Sequence, residues 1–598
     1  MSLNLALDLV VLLAILAMTA ATLSGWGNLT WRVLGIEQPT QPSVVSVWLG
    51  FCMVVALLEI IHLFTPLAWP ITLAVVFVGI SAQVWRAQLQ LPTQQRTVTK
   101  ARSSTGFFAL TVAALRRYPL RSLVAAAVIL VWCLRAMQTP TMFDSGLYHF
   151  GSIRWLNEYA IVPGLGNLHW RLALNQSYFG FLALLNIAPY WGKGYATGGL
   201  FLLVLTAFTL LEIGITRSAL WRWIFGGILF SYLCLLSGMI ANPLPDTAVA
   251  LLQITIFVFL SRSLRADPNE EPAEQVRRKR LQVALVFLCL TIVTIKLSSV
   301  GFAVATLAVV LFSMFRSVRH QLPLKLLLSL AALVGLFAVV HIARGYLLSG
   351  APFFPSPLGW LWPLPWAVEP GVAQNESQLI YAWAKQPGIT SAIEVPAGYG
   401  WLLPWLLALP TTLKFLFLAS SLLFVAALIV RRVYAVGLGK QDLLVAAPIF
   451  GALVFWFFSA PDPRFLGANA VLYFAWSLWF FCTSFAEHPL LSRSTSVTAQ
   501  TAFNCLTVIC AGLLFVRWSL AGLLPLPVGW ATLPVTETSI QANRSGLKAF
   551  VPTNGTQCWN SDLPCAVLLH GGLLKVPLDR LGWFLGLQSH RFGLFIER

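Results

Sequence analysis

Asp144, His149, His169 and Arg171 fall within one stretch, TPTMFDSGLYHFGSIRWLNEYAIVPGLGNLHWR, that runs from Thr139 to Arg171. A carboxylate such as Asp144 takes a proton from an attacking hydroxyl when its pKa and geometry suit. Tyr148 lies four residues on, which in a helical turn puts it on the same face as Asp144. The structural alternative makes Asp144 the N-cap of a helix beginning at Ser145, and the two roles can coexist. Further along come Asp246 in ANPLPDTA, then Lys296, Arg344 and Glu376, and finally Asp462 and Arg464 in SAPDPRF. Each has a plain structural reading when taken alone. Asp246 complements a helix dipole, Asp462 and Arg464 make a local ion pair, and Lys296 and Arg344 snorkel to a membrane boundary. Together, the bases Lys296, Arg344 and Arg464 and the acids Asp144 and Asp246 are expected on one face. Arginine offers a planar fork to phosphate oxygens and lysine a point charge. Such a cluster beside a carboxylate suits a lipid-linked phosphate or pyrophosphate, with the carboxylate activating an acceptor hydroxyl.

The first long loop has no DxD pair, and the chain has no HExxH and no Cys/His ligand spacing. No glycine-rich phosphate loop appears either, which argues against a cytosolic nucleotide-sugar or ATP as substrate. Metal-free base chemistry at Asp144 is the expectation. The alternative is an Mg²⁺ or Mn²⁺ site assembled from Asp144, Asp246 and Glu376. Cys558 and Cys565, in QCWNSDLPC, read as a structural disulfide, because their spacing is no redox motif. The other cysteines sit singly in apolar blocks and behave as small hydrophobes.

The elements that must position these groups are membrane helices. Of 598 residues 58% are hydrophobic and 10% charged, far more apolar sequence than a soluble core needs. The net charge of +18 sits mainly in short loops between apolar blocks, such as 86–121, 262–280, 316–325 and 431–440. That is the positive-inside pattern rather than a nucleic-acid surface. The first block, Leu3 to Leu23, reads as a retained helix and not a signal peptide. The expected fold is an all-α polytopic membrane protein of about 14 spans, near 4–23, 44–65, 67–85, 121–137, 197–215, 221–240, 244–261, 281–297, 299–315, 323–343, 406–430, 443–460, 465–486 and 502–523. Residues 1–120 form an N-terminal three-helix module with a basic cytoplasmic loop, and its N-terminus is outside. Residues 121–523 form the core, with outer loops 138–196 and 344–404, and 524–598 an outer tail. LNQSYFGFLALLN, in the first outer loop, reads as an amphipathic helix on the outer surface. The second, rich in Pro and Trp, reads as a compact segment along that surface.

FDSGLYHF after an early span resembles the first outer loop of the GT-C glycosyltransferase superfamily, where an acidic residue is catalytic. The protein O-mannosyltransferase branch carries an Asp-Glu pair there, whereas this chain has Asp144–Ser145 and lacks the second acid. PDPRF is similar to places where such enzymes hold the donor phosphate. Residues 140–570 also resemble a bacterial family of large multi-pass proteins of unassigned activity. Its members carry variants of D-x-G-L-Y-H, PGLGNLH-x-R, P-x-PD, SG-x-P-x-x-P, APDPRF and QCW…LPC. The resemblance implies a glycosyltransferase of the bacterial inner membrane with a periplasmic active face and a polyprenyl-phosphate sugar as donor. The acceptor would be a glycan, lipid or protein. In it Arg464, Arg344 and Lys296 hold the donor phosphate and Asp144 is the general base. Tyr148, His149, Asn167, His169, Arg171, Asp246, Glu376 and Asp462 line the site. The alternatives are a transporter or flippase of lipid-linked saccharide and a polysaccharide polymerase or ligase.

Overall fold

A computed structural model describes residues 3–39, 43–89, 119–186, 193–212, 219–264, 271–317, 324–356, 358–362, 364–388, 395–396, 398–434, 437, 439–486, 509–524, 527–571, 573–577 and 592–596. Most of the basic segment 86–121, much of 316–325 and the start of the span expected at 502–523 lie outside the described residues. The chain is mostly helical. Among the described residues eight helices are long and apolar enough to cross a bilayer. They are α1 (Leu3–Val33), α2 (Val44–His62), α7 (Gly194–Glu212), α9 (Pro245–Ser263), α11 (Val300–Ser317), α12 (Leu324–Ser349), α15 (Thr411–Val433) and α16 (Lys440–Ser459). Further apolar helices lie on other expected spans: α3 (Trp69–Leu89), α4 (Pro119–Ala136), α8 (Ala219–Leu236), α10 (Pro272–Ile295) and α17 (Asn469–Ala486). Proline at the first helical turn starts α9 and α10, where its missing N–H costs nothing. α9 is buried on nearly all sides, as a helix apolar all round must be.

The bundle sorts its loops between two ends. At the basic end Arg280 donates to the Glu37 carbonyl at 2.8 Å, Arg262 pairs with Glu274 at 2.6 Å, and Ser43 donates to Glu212 at 3.2 Å. At the opposite end the Leu67 N–H donates to Leu156 (2.7 Å), Ile161 to His62 (2.9 Å) and Ala531 to Met137 (2.8 Å). Every candidate site residue on the described chain belongs to loops or helix ends of this second kind.

The first three helices pack on one another and on the core. α1, α2 and α3 touch backbone to backbone at glycines: a Cβ on Gly27 would lie 1.9 Å from the Ser46 carbonyl oxygen, and one on Gly25 1.7 Å from that of Gly79. α2 then runs on into the core. Trp48 donates to Thr209 at 2.8 Å, and the rings of Phe51 and Phe181 meet edge to face at 5.0 Å. The segment expected as an amphipathic surface helix is corrected here. α6 (Tyr178–Leu184), seven residues long, has every side chain buried, and it packs inside the bundle. A helix without a polar face has no reason to lie at a water boundary.

The described tail carries two antiparallel ribbons. β1 (Thr538–Ala542) pairs with β2 (Lys548–Pro552), and β3 (Leu573–Pro577) with β4 (Phe592–Ile596). Residues between them fold back over the site end.

Candidate functional site

Asp144 follows α4 after a short connection that one side chain pins. The Asn242 amide oxygen accepts from the Thr141 and Met142 N–H groups (2.9 and 3.0 Å) and from the Ser145 hydroxyl (3.3 Å). The chain then opens into a π-helical turn, Ser145–His149, before α5 (Phe150–Glu158). Such widened turns recur at functional sites. Asp144 stands at the N-cap position of that turn but makes no capping hydrogen bond. Its carboxylate instead faces two arginines: Oδ1 is 3.4 Å from Arg171 Nη1, and Oδ2 is 3.5 Å from Arg464 Nη1. Close guanidinium–carboxylate pairs run near 2.7–2.9 Å, so both contacts are loose.

Arg171 sits in a 3₁₀ turn, Trp170–Ala173, capped by His169, whose Nδ1 accepts the Arg171 N–H at 3.2 Å. The second terminal nitrogen of Arg171 lies 3.8 Å from Glu376, and its guanidinium is 5.8 Å from the Tyr148 ring centre. Its Nε is buried without a hydrogen-bond partner among the described residues. Glu376 arrives on α13 (Pro370–Lys385), from the second long loop. Arg464 lies in the turn Pro463–Leu466, where Asp462 accepts its backbone N–H at 2.8 Å and faces its Nε at 3.4 Å. Buried Gln253 accepts the Ala468 N–H at 2.7 Å and holds this turn from mid-α9. Gly467, at φ 58°, leaves room for it, since a Cβ there would meet the Gln253 oxygen at 2.2 Å. Trp456 and Trp405 support the turn through the carbonyls of Asp462 (2.7 Å) and Pro461 (2.9 Å). Lys296 pairs with Asp246, and its ammonium stands 4.7 Å over the Phe465 ring.

Burial sets the protonation of the neighbouring groups. It lowers the His149 pKa well below the usual value, with Lys296 and Arg171 pushing the same way, so the imidazole is neutral. His149 Nδ1 is buried and has no hydrogen-bond partner among the described residues. Burial and then Arg171 bring His169 down to about 4. Burial raises the Tyr148 phenol, aided by Asp144. Burial also raises Glu376, which Arg171 opposes and Asp144 reinforces.

The arrangement differs from the expected cationic cluster in two respects. Arg344 does not join it. Its Nε is 3.4 Å from Glu59, its Nη1 donates to His62 at 2.8 Å, and its Nε to Asn175 at 3.3 Å, all within a buried network between α2 and α12. Arg171 stands with Asp144 instead. The cluster is also close to charge balance, since Arg171, Arg464 and Lys296 face Asp144, Asp246, Asp462 and Glu376. Asp144, Asp246 and Glu376 are each tied to a cation, and no three His, Cys, Asp or Glu side chains group as metal ligands among the described residues. Asn167 is placed elsewhere: it donates to the carbonyls of Trp366 (3.0 Å) and Leu594 (2.9 Å), tying the first long loop to the second and to the tail.

The tail clamps the Asp144 turn from outside. Cys558 and Cys565 are disulfide-bonded, with Cα atoms 6.1 Å apart. Within that small ring the Trp559 N–H donates to the Gly146 carbonyl at 2.8 Å, and just before it Gln557 donates to the Phe143 carbonyl at 2.8 Å. A Cβ on Gly146 would fall 2.5 Å from the Trp559 indole, so only glycine fits beneath it. Sequence reading missed Asn242, Gln253, Gly146 and Trp559. The signal for Asn242 was ANP, an asparagine just before a helix-starting proline pair, while Gly146 and Trp559 stood inside the D-x-G-L-Y-H and QCW…LPC motifs without a role of their own.

Searches of curated proteins and of solved structures return no match. A family described as a domain of unknown function (DUF8201) matches residues 9–471. That span begins inside α1 and takes in Asp144, Arg171, Glu376 and Arg464, while the disulfide tail lies beyond it. With most of its length matched, N-terminal helices and site loops alike, the chain belongs to the DUF8201 family.

Proposed function

We propose that this protein is a membrane glycosyltransferase of the bacterial inner membrane. It moves a sugar from a polyprenyl-phosphate donor to a hydroxyl of a glycan, lipid or protein acceptor on the periplasmic face. The observation that carries this reading is one carboxylate shared by two arginines at the loop end of an apolar bundle, at 3.4 and 3.5 Å, with the Arg464 side chain half exposed. An incoming phosphate competes with Asp144 for those guanidinium donors, because phosphate accepts bidentate pairs well. As it takes them, Asp144 is released to accept the acceptor's hydroxyl proton, and the acceptor oxygen attacks the anomeric carbon with inversion. Lys296, held by Asp246 beside Phe465, adds positive charge on the same side. The basic loops at the other end of the bundle support a cytoplasmic position for that end.

The test uses protein purified in detergent, a panel of radiolabelled polyprenyl-phosphate sugars and a membrane extract as acceptor. Wild type should transfer label. Asp144→Asn should bind donor at least as tightly as wild type, since the competing carboxylate is gone, and lose about 10²–10⁴-fold in rate, the range of general base catalysis. Prior dialysis against a chelator should leave the wild-type rate unchanged. Donor binding without transfer, together with movement of the donor across proteoliposome membranes, would replace the enzyme by a flippase.

A further inference from the structure

Arg171 has a carboxyl on each side. Nη1 is 3.4 Å from Asp144 Oδ1, and Nη2 is 3.8 Å from Glu376 Oε1. The two acids come from different long loops and differ in setting. The Asp144 side chain is 26% exposed, whereas that of Glu376 is 5% exposed. α13 is seated so that this must be so. The Val368 N–H donates to Ser349 at 2.9 Å just before the helix. Ala373, one turn before Glu376, is fully buried in a cluster with Ala173, Ala351 and Phe354. The helix therefore lies on the turn that carries Arg171. A buried carboxylate needs close compensation, and a guanidinium at 3.8 Å already shared with Asp144 supplies only part of it.

Building on the transfer reading above, we propose that Glu376 is the acid of this site: it gives its proton to the leaving phosphate oxygen while Asp144 takes the proton of the acceptor hydroxyl. The acceptor oxygen bonds to the anomeric carbon, and its proton passes to Asp144. The bond from that carbon to the phosphate oxygen breaks with its electron pair on oxygen, and that oxygen receives the Glu376 proton. Asp144 ends protonated and Glu376 ionised, and exchange with water after product release restores both. Arg171 keeps a counter-charge at each stage: Asp144 before the donor binds, the donor phosphate while it is bound, and ionised Glu376 once Asp144 has taken its proton. Two carboxyls held in unlike environments are how acid and base roles separate at one pH. The charged groups that bear on Glu376 are Arg171 from the 3₁₀ turn, which opposes burial and is outweighed by it, and Asp144 beside the π turn, which adds to it. Glu376 thus supplies, from the second long loop, the second acid that the Asp144–Ser145 motif lacks.

Two readouts test this. Infrared spectra of the purified protein in D₂O at neutral pH should show a protonated carboxyl band that Glu376→Gln removes. With a donor that wild type turns over, Glu376→Gln should keep donor affinity, lower kcat about a hundredfold, and abolish the alkaline limb of the kcat–pH profile. Asp144→Asn should abolish the acid limb. Matching elution and thermal unfolding of the near-isosteric Gln variant would establish that it folds. The absence of a Glu376 carboxyl band at neutral pH, or an alkaline limb that survives Glu376→Gln, overturns the proposal. If wild type turns over no donor in the panel, the transfer reading and the acid role fall together. The infrared band still reports separately whether Glu376 stores a proton.

Discussion

Glu59 and His62 on α2, His341 and Arg344 on α12, and Asn175 between them form a sealed network, whereas Asp144, Arg171, Arg464 and Glu376 form an open one. In the first, His341 lies 2.9 Å from Glu59, Arg344 donates to His62 at 2.8 Å, and Asn175 donates to the His341 carbonyl at 2.9 Å. All five residues are buried. In the second, the pairs stand at 3.4 to 3.8 Å, Arg464 is half exposed, and Arg171 Nε has no hydrogen-bond partner among the described residues. Both flank the same short segment: Asn175, held at φ 44°, ends the stretch that begins with His169 and Arg171. A satisfied buried network fixes a backbone, and a loosely paired, half-wet one leaves donors for a ligand. The sealed network holds the turn from behind while the open one presents its arginine.

That contrast breaks most visibly at Arg344. Arg344→Ala leaves Glu59 buried without its cation and should cost about 3–5 kcal/mol by thermal unfolding in detergent. Arg464→Ala, at a half-exposed side chain whose ion pairs stand at 3.4 and 3.5 Å, should cost about 1 kcal/mol and show itself in weakened donor binding. Equal effects of the two on stability would erase the distinction. A smaller loss is expected where the tail clamps the π turn. Gly146→Ala forces a Cβ into the Trp559 indole and should cost about 1–3 kcal/mol. Adding Trp559→Ala should recover part of that loss if the clash is the cause. Next comes Cys558→Ser, which opens a small ring and should cost about 2 kcal/mol or less. Its effect should appear as faster proteolysis of the tail, with the rest of the bundle protected.

The smallest effects are slopes against pH. His169 has a folded pKa near 4, below its usual value. The unfolded chain therefore binds the proton more readily. Its contribution to stability is fully present above the unfolded pKa and is lost as pH falls from about 6.5 toward 4. His169→Gln should flatten the unfolding curve in that window. Glu376 has the opposite sign. Its raised folded pKa makes stability decline as pH rises above the usual carboxyl range, and Glu376→Gln should remove that decline.

Membrane class and helix positions were legible in the residues because both follow from local composition. An apolar run of sufficient length spans a bilayer wherever its neighbours lie, and basic loops sort to one end by the same local rule. Asp144, Asp246, Lys296, Arg464 and the Cys558–Cys565 pair were legible too, since polar groups stand out against so apolar a chain. Partner choice was decided only in three dimensions. Arg344 and Arg171 are both arginines beside a helix or turn end, and nothing local says that the first meets Glu59 and the second Asp144. The same holds for α6, whose burial depends on helices far away in the chain, and for Glu376, which reaches Arg171 only because α13 packs on its turn. Pairings between residues some 170 to 320 positions apart are set by how the helices pack. A charge in an apolar protein advertises itself in the sequence, but its counter-charge is whatever the packing brings within reach.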